Sequence, residues 1–90
     1  MVLAVEAIEG TDGAIKRAGP LANGEAVVIK VARPNQDMRF DIPVIGIHTI
    51  TSLKEARASC LAIEKNKTLI TDKDEVARLA DEAGIAIVVI

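Results

Sequence analysis

Apolar positions along this chain switch repeatedly between two spacings. Val2 to Ala7 predicts a strand, with Leu3, Val5 and Ala7 on one face. Glu9-Gly10-Thr11-Asp12 is a turn, and Gly13 to Ala18 predicts a short helix. Thr11 or Asp12 would supply its N-cap oxygen, and Gly19-Pro20 would stop it. Asn23-Gly24 leads into a second strand, Ala26 to Ala32. That strand is rich in β-branched residues and nearly all apolar, a pattern that predicts cover on both faces.

Beyond a polar stretch, Pro43-Val44-Ile45-Gly46 reads as extended chain. A helix from Thr49 to Arg57 carries Ile50 and Leu53 on one side. Ser52 and Glu55 have the spacing of a capping box, but Thr49 is an equally good start. Cys60 to Glu64 and Lys67 to Thr71 predict two short strands, with Lys65-Asn66 as a tight hairpin between them. The last helix has Asp72 and Glu75 as its start, Val76, Leu79, Ala80 and Ala83 as its stripe, and Gly84 as its stop. Ile85 to Ile90 forms a final strand.

The alternation predicts one small α/β domain, with a mixed sheet of about five strands and three helices. The first strand has no lead-in and the last ends the chain. Edges this apolar are normally paired or covered, so an exposed apolar or strand-edge surface and self-association are expected.

Composition narrows the chemistry. Half of the 90 residues are hydrophobic, yet Phe40 is the only aromatic, so the core is built from Val, Ile, Leu and Ala. The net charge of −2 provides no basic excess for a nucleic acid backbone, and no Tyr or Trp is present to stack on bases. Cys60 stands alone, which excludes an internal disulfide and suits a reducing compartment. One His and one Cys do not make a zinc site of ordinary ligand composition. No apolar run approaches the ~20 residues of a membrane span, and no signal-peptide pattern opens the chain.

Candidate chemistry concentrates in Arg33-Pro34-Asn35-Gln36-Asp37-Met38-Arg39-Phe40-Asp41, between two apolar runs. A loop that only reverses the chain needs Gly, Pro, Asn or Ser, and rarely two arginines and two aspartates. Carboxylates hold a hard cation and arginines clamp phosphoryl oxygens, so this set suits a phosphate site with a bound metal. Asp37 and Asp41 as an isolated pair would more often be solvated loop carboxylates. Arg33, Gln36 and Arg39 beside them shift the balance towards a site.

A second polar cluster, Glu9-Gly10-Thr11-Asp12, lies at a strand end and a helix start, where backbone N–H groups attract anions. On the local pattern alone, ordinary capping by Thr11 or Asp12 is the favoured reading, since Ser, Thr and Asp caps are common. Lys30 interrupts an apolar strand and either reaches a phosphate past the strand end or keeps its head in water. His48 reads as a helix-start or surface residue, since no Gly-x-Ser-x-Gly elbow accompanies Ser52 or Ser59. Cys60 reads as a buried, inert thiol. Lys65-Asn66-Lys67-Thr68 lacks the glycines of a P-loop.

Taken together, Val5-Glu6-Ala7-Ile8-Glu9-Gly10-Thr11-Asp12 and the run Val28 to Gly46 resemble the C-terminal domain of the LpxI-type UDP-2,3-diacylglucosamine pyrophosphatases. Ile63-Glu64 and Lys67-Thr68-Leu69-Ile70 fit the same pattern. Arg33 stands where the family usually has Lys, and Asn35 and Asn66 where it has Gly. The resemblance covers nearly all of residues 1–90, without the N-terminal nucleotide-fold-like domain of the family.

It implies Mg²⁺-dependent hydrolysis of UDP-2,3-diacylglucosamine to UMP and lipid X, a step of lipid A synthesis. It implies Asp37 and Asp41 as metal-binding and catalytic residues, with Arg33, Arg39 and Lys30 on the pyrophosphate. Gln36, Thr11 and Asp12 would line the same pocket. It implies a cytoplasmic location with at most peripheral contact with the inner membrane, and as partners the N-terminal domain of the same enzyme and a homo-oligomer. A single domain of such an enzyme is expected to be incomplete as a catalyst. The competing reading is a non-catalytic α/β module that packs against a separate nucleotide-fold domain or a twin copy.

Overall fold

The computed structural model describes residues 2–6, 10–22, 25–32 and 42–90. Helix α1 (Thr11–Leu21) precedes strand β1 (Ala26–Lys30), followed by β2 (Val44–Ile45), α2 (Ile47–Glu55) and β3 (Ala58–Ile63). Then come β4 (Leu69–Ile70), α3 (Lys73–Ala83) and β5 (Ala86–Val89). The α/β class, with five strands and three helices among the described residues, is the one the alternating pattern predicts. Every described strand pair is parallel: β1-β3-β5 form one sheet, and β2-β4 form a two-stranded ladder.

Val2 to Glu6 joins no described strand pair. The carbonyl of Val5 instead accepts a hydrogen bond from Arg17 Nη2 at 2.8 Å. The expected hairpin at Lys65-Asn66 is also replaced. Strand β3 pairs with β1 and β5, while β4 pairs with β2, so the turn carries the chain between two sheets. Asn66 does adopt the left-handed conformation, at φ 60°.

Helix boundaries differ where a cap was misread. α1 starts directly after Gly10, and neither Thr11 nor Asp12 is its N-cap. It continues past Gly19-Pro20 to Leu21; Pro20 lies one residue from the C-terminal end, so the intrahelical bond that its missing N–H forfeits is a single one in the last turn. Gly19 faces α2 so closely that an added Cβ would lie 3.0 Å from Ala56 Cα. α2 starts after Gly46, whose N–H donates to Thr49 Oγ1 at 3.2 Å, so Thr49 acts from the third position. α3 closes as expected: Gly84 is left-handed at φ 69°, and the Ile85 N–H donates to the Ala80 carbonyl at 2.9 Å.

The helices pack as a layer, α1 on α2 on α3, against β1, β3 and β5 respectively. The core between them holds Ile15, Leu53, Leu61, Ile63, Val76 and Ile85, with Ala26 and Ala58 at its edge. Ala26 and Val28 of β1 face this core, while Val27 and Ile29 are exposed. Among the described residues, the expected cover of β1 is present on one face only. Both crossovers that carry a helix return it to the same side of the sheet.

Candidate functional site

In each helix–strand unit the helix runs down to the start of the strand after it. The N-termini of α1, α2 and α3 therefore share one end of the domain with the carboxyl ends of β1, β3 and β5. Ligands of parallel α/β sheets bind outside the carboxyl ends of the strands, where helix N-termini favour anions. The short β2-β4 ladder lies in the connections leaving β1 and β3, at that same end.

Lys30 is the last residue of β1 and lies on the helix-facing side of the strand. Its Nζ donates to the Val44 carbonyl at 2.7 Å. Partial burial pulls its pKa below the ordinary Lys value, and the carboxylates of Asp12 and Glu6 oppose that shift. Lys30, Asp12 and Glu6 therefore share one electrostatic environment, although they come from β1, the first turn of α1 and the N-terminal segment. Asp12 Oδ1 also accepts a hydrogen bond from Ser52 Oγ on α2 at 3.0 Å. Ser52 is itself buried, so this bond fixes the carboxylate against the neighbouring helix.

Glu64 follows β3 directly and accepts the Ala32 N–H at Oε1, 3.1 Å away. The chain that leaves β1 is thus held at Ala32 by Glu64, and the chain that arrives at β2 is held at Val44 by Lys30. Gly46 follows, and an added Cβ there would sit 2.6 Å from Thr71 Oγ1. That hydroxyl donates to the Ile45 carbonyl at 3.3 Å. His48 is exposed in the first turn of α2, as the sequence suggests.

Of the residues singled out from sequence, Thr11, Asp12 and Lys30 lie at this end. Arg33, Gln36, Asp37, Arg39 and Asp41 fall outside the described residues. Sequence reasoning missed Ser52 as the partner of Asp12 and Glu64 as the anchor of Ala32. Glu64 carried a signal: it is a carboxylate directly after an apolar strand, in step with the end of β1.

Among the described residues, no three His, Cys, Asp or Glu side chains gather into a metal-holding group. The carboxylates near Lys30 are nevertheless hard oxygen donors of the kind a magnesium ion prefers.

This end defines a small parallel α/β domain with a cation, fixed carboxylates and helix N-termini gathered beyond its strands. The chain matches the family profile described as the LpxI C-terminal domain over residues 1–88, and it belongs to that family. It is 36% identical over 93 residues to the UDP-2,3-diacylglucosamine pyrophosphatase LpxI of Caulobacter vibrioides. That alignment covers 94% of this chain and 33% of the relative, so the chain spans about a third of the relative's length. No helix among the described residues is long and apolar enough to cross a membrane.

Proposed function

We propose that this domain forms the phosphate- and metal-binding part of a UDP-2,3-diacylglucosamine pyrophosphatase. The reaction adds water across the pyrophosphate and releases UMP and 2,3-diacylglucosamine 1-phosphate. The observation that carries the reading is the placement of Lys30 with Asp12 and Glu6 at the carboxyl end of the parallel sheet, in a chain of this family. Lys30, Arg33 and Arg39 contact the pyrophosphate oxygens. Arg does this in a bidentate manner, while Lys acts as a compact charge. Gln36 adds a hydrogen bond, and Thr11 presents its backbone N–H from the start of α1. Asp12, held by Ser52, orients Lys30 and limits where the substrate's negative charge can sit.

Asp37 and Asp41 would hold Mg²⁺ and orient the attacking water. When bound, the ion supplies charge neutralisation on the phosphoryl oxygens. Phosphoryl transfer is mostly positioning and electrostatic stabilisation, so a domain with part of a site's walls is a weak catalyst alone. The remaining walls come from an N-terminal domain, as the relative's greater length suggests. The site works in the cytoplasm on a lipid substrate, with peripheral contact at the inner membrane and with the protein as a homo-oligomer.

The test is release of UMP with Mg²⁺ present. It compares this chain alone with the same chain joined to the N-terminal two-thirds of the Caulobacter relative. The joined protein is expected to turn over and the isolated chain to be slower by several orders of magnitude. A non-catalytic module would leave both inactive.

A further inference from the structure

Lys65-Asn66-Lys67 lacks the glycines of a P-loop, yet it turns the chain directly beyond the carboxyl end of β3, the middle strand of the sheet. Strand β1 lies beside β3, with Lys30 level with Ile63. Lys65 comes two residues after Ile63. With neighbouring strands about 4.8 Å apart and a rise of about 3.3 Å per residue, its Cα falls within roughly 10 Å of the Lys30 Cα. The turn is fixed by its backbone. The Lys65 N–H donates to the Ile90 carbonyl at 2.8 Å, and the Lys67 N–H donates to the Glu64 carbonyl at 3.2 Å. Asn66 between them is left-handed at φ 60°.

Both lysines are exposed, and neither ammonium group has an ion-pair or hydrogen-bond partner among the described residues. The carboxylate next to them in the chain, Glu64, is engaged with the Ala32 N–H. Two unpaired like charges in a three-residue turn repel one another, and a bound anion relieves that repulsion. We propose that Lys65 and Lys67 form a second cationic contact for the substrate's phosphoryl groups, and that they set the preference of the site for a diphosphate over a monophosphate. A monophosphate held at Lys30 meets one cationic point, whereas a diphosphate reaches from the end of β1 to the turn beyond β3. Lysine suits this task, because a compact charge on a flexible stem follows a phosphoryl group without demanding one orientation. This inference rests on the phosphate-binding reading given above and names the residues that select the class of phosphate.

The experiment titrates the 90-residue chain, by calorimetry with Mg²⁺ present, with inorganic pyrophosphate and separately with inorganic phosphate. The unsubstituted chain is expected to prefer pyrophosphate. The double variant Lys65→Gln, Lys67→Gln should lose at least tenfold in pyrophosphate affinity and less than threefold in phosphate affinity. Lys65→Arg with Lys67→Arg should keep the preference. Lys54→Gln removes one charge from the last turn of α2, at the other end of the domain, and should leave both affinities within twofold. An unchanged preference in the double glutamine variant would overturn the proposal. So would an equal loss in Lys54→Gln, which would make the effect one of net charge. Lys30→Met separates the two readings. If it weakens pyrophosphate binding while the double variant does not, this inference fails and the phosphate-binding reading stands. If the unsubstituted chain binds neither anion, the phosphate-binding reading fails and takes this inference with it.

Discussion

Lys30 Nζ donates to the carbonyl of Val44 at 2.7 Å, a bond between residues fourteen apart in the chain. It ties the end of β1 to the start of β2, and so ties together the two sides of the polar segment 33–41. Ala32, bonded to Glu64, and Val44, bonded to Lys30, are both held at the carboxyl end of the sheet.

Replacing Lys30 separates the structural role from the binding role. In Lys30→Met the side-chain stem is kept, and the single lost hydrogen bond should cost about 1 kcal/mol or less in urea denaturation. Binding of inorganic pyrophosphate with Mg²⁺, measured by calorimetry on the same chain, should weaken at least tenfold, since a charged hydrogen bond contributes about 1.5–3 kcal/mol. Unchanged pyrophosphate binding would remove Lys30 from the site.

Lys30 also predicts a pH dependence. Burial holds its folded-state pKa below the ordinary value of 10.5, so in the window just below 10.5 the unfolded chain binds more protons than the folded one. Its contribution to stability therefore rises as pH climbs through that window, and Lys30→Met should flatten the rise. Asp12 opposes the shift, so Asp12→Asn should lower the Lys30 pKa further, as read from the Cε resonance in an NMR titration. A pKa that rises or stays fixed in Asp12→Asn would show that the two groups are not coupled.

Gly19 tests the contact between α1 and α2. Alanine is ordinarily the better helix residue, by about 1 kcal/mol. Here its Cβ would press on the Ala56 backbone and Cβ at 3.0 Å, atoms that cannot swing aside. Overpacking of this kind costs about 1–3 kcal/mol, so Gly19→Ala should lower the urea midpoint. A raised midpoint would show that the helices part without penalty.

Much of the fold was legible because apolar spacing reports local structure directly. The stripe Val76, Leu79, Ala80 and Ala83 with Gly84 behind it placed α3 almost to the residue. Strand partners were less legible, because pairing is a long-range choice. Lys65-Asn66 has turn chemistry that suits a hairpin, but Cys60 to Ile63 pair with β1 on one side and β5 on the other, which leaves β3 no free edge for β4. The exposed half of β1 was equally hidden. A continuous apolar strand signals two covered faces, whether the cover comes from the same chain or from another molecule. At the site, Thr11, Asp12 and Lys30 were legible as polar residues at element ends. Ser52 was not, because a serine inside a helix carries no mark of a partner forty residues away.

The central claim places the chemistry of this domain at Asp37 and Asp41. The most direct measurement is Mg²⁺-dependent release of UMP from UDP-2,3-diacylglucosamine by this chain joined to the N-terminal part of the Caulobacter relative, with and without Asp37→Ala or Asp41→Ala. The account predicts that the unsubstituted protein turns over and that each substitution removes activity, while stability changes by no more than about 1 kcal/mol. Full turnover in both aspartate variants would contradict it.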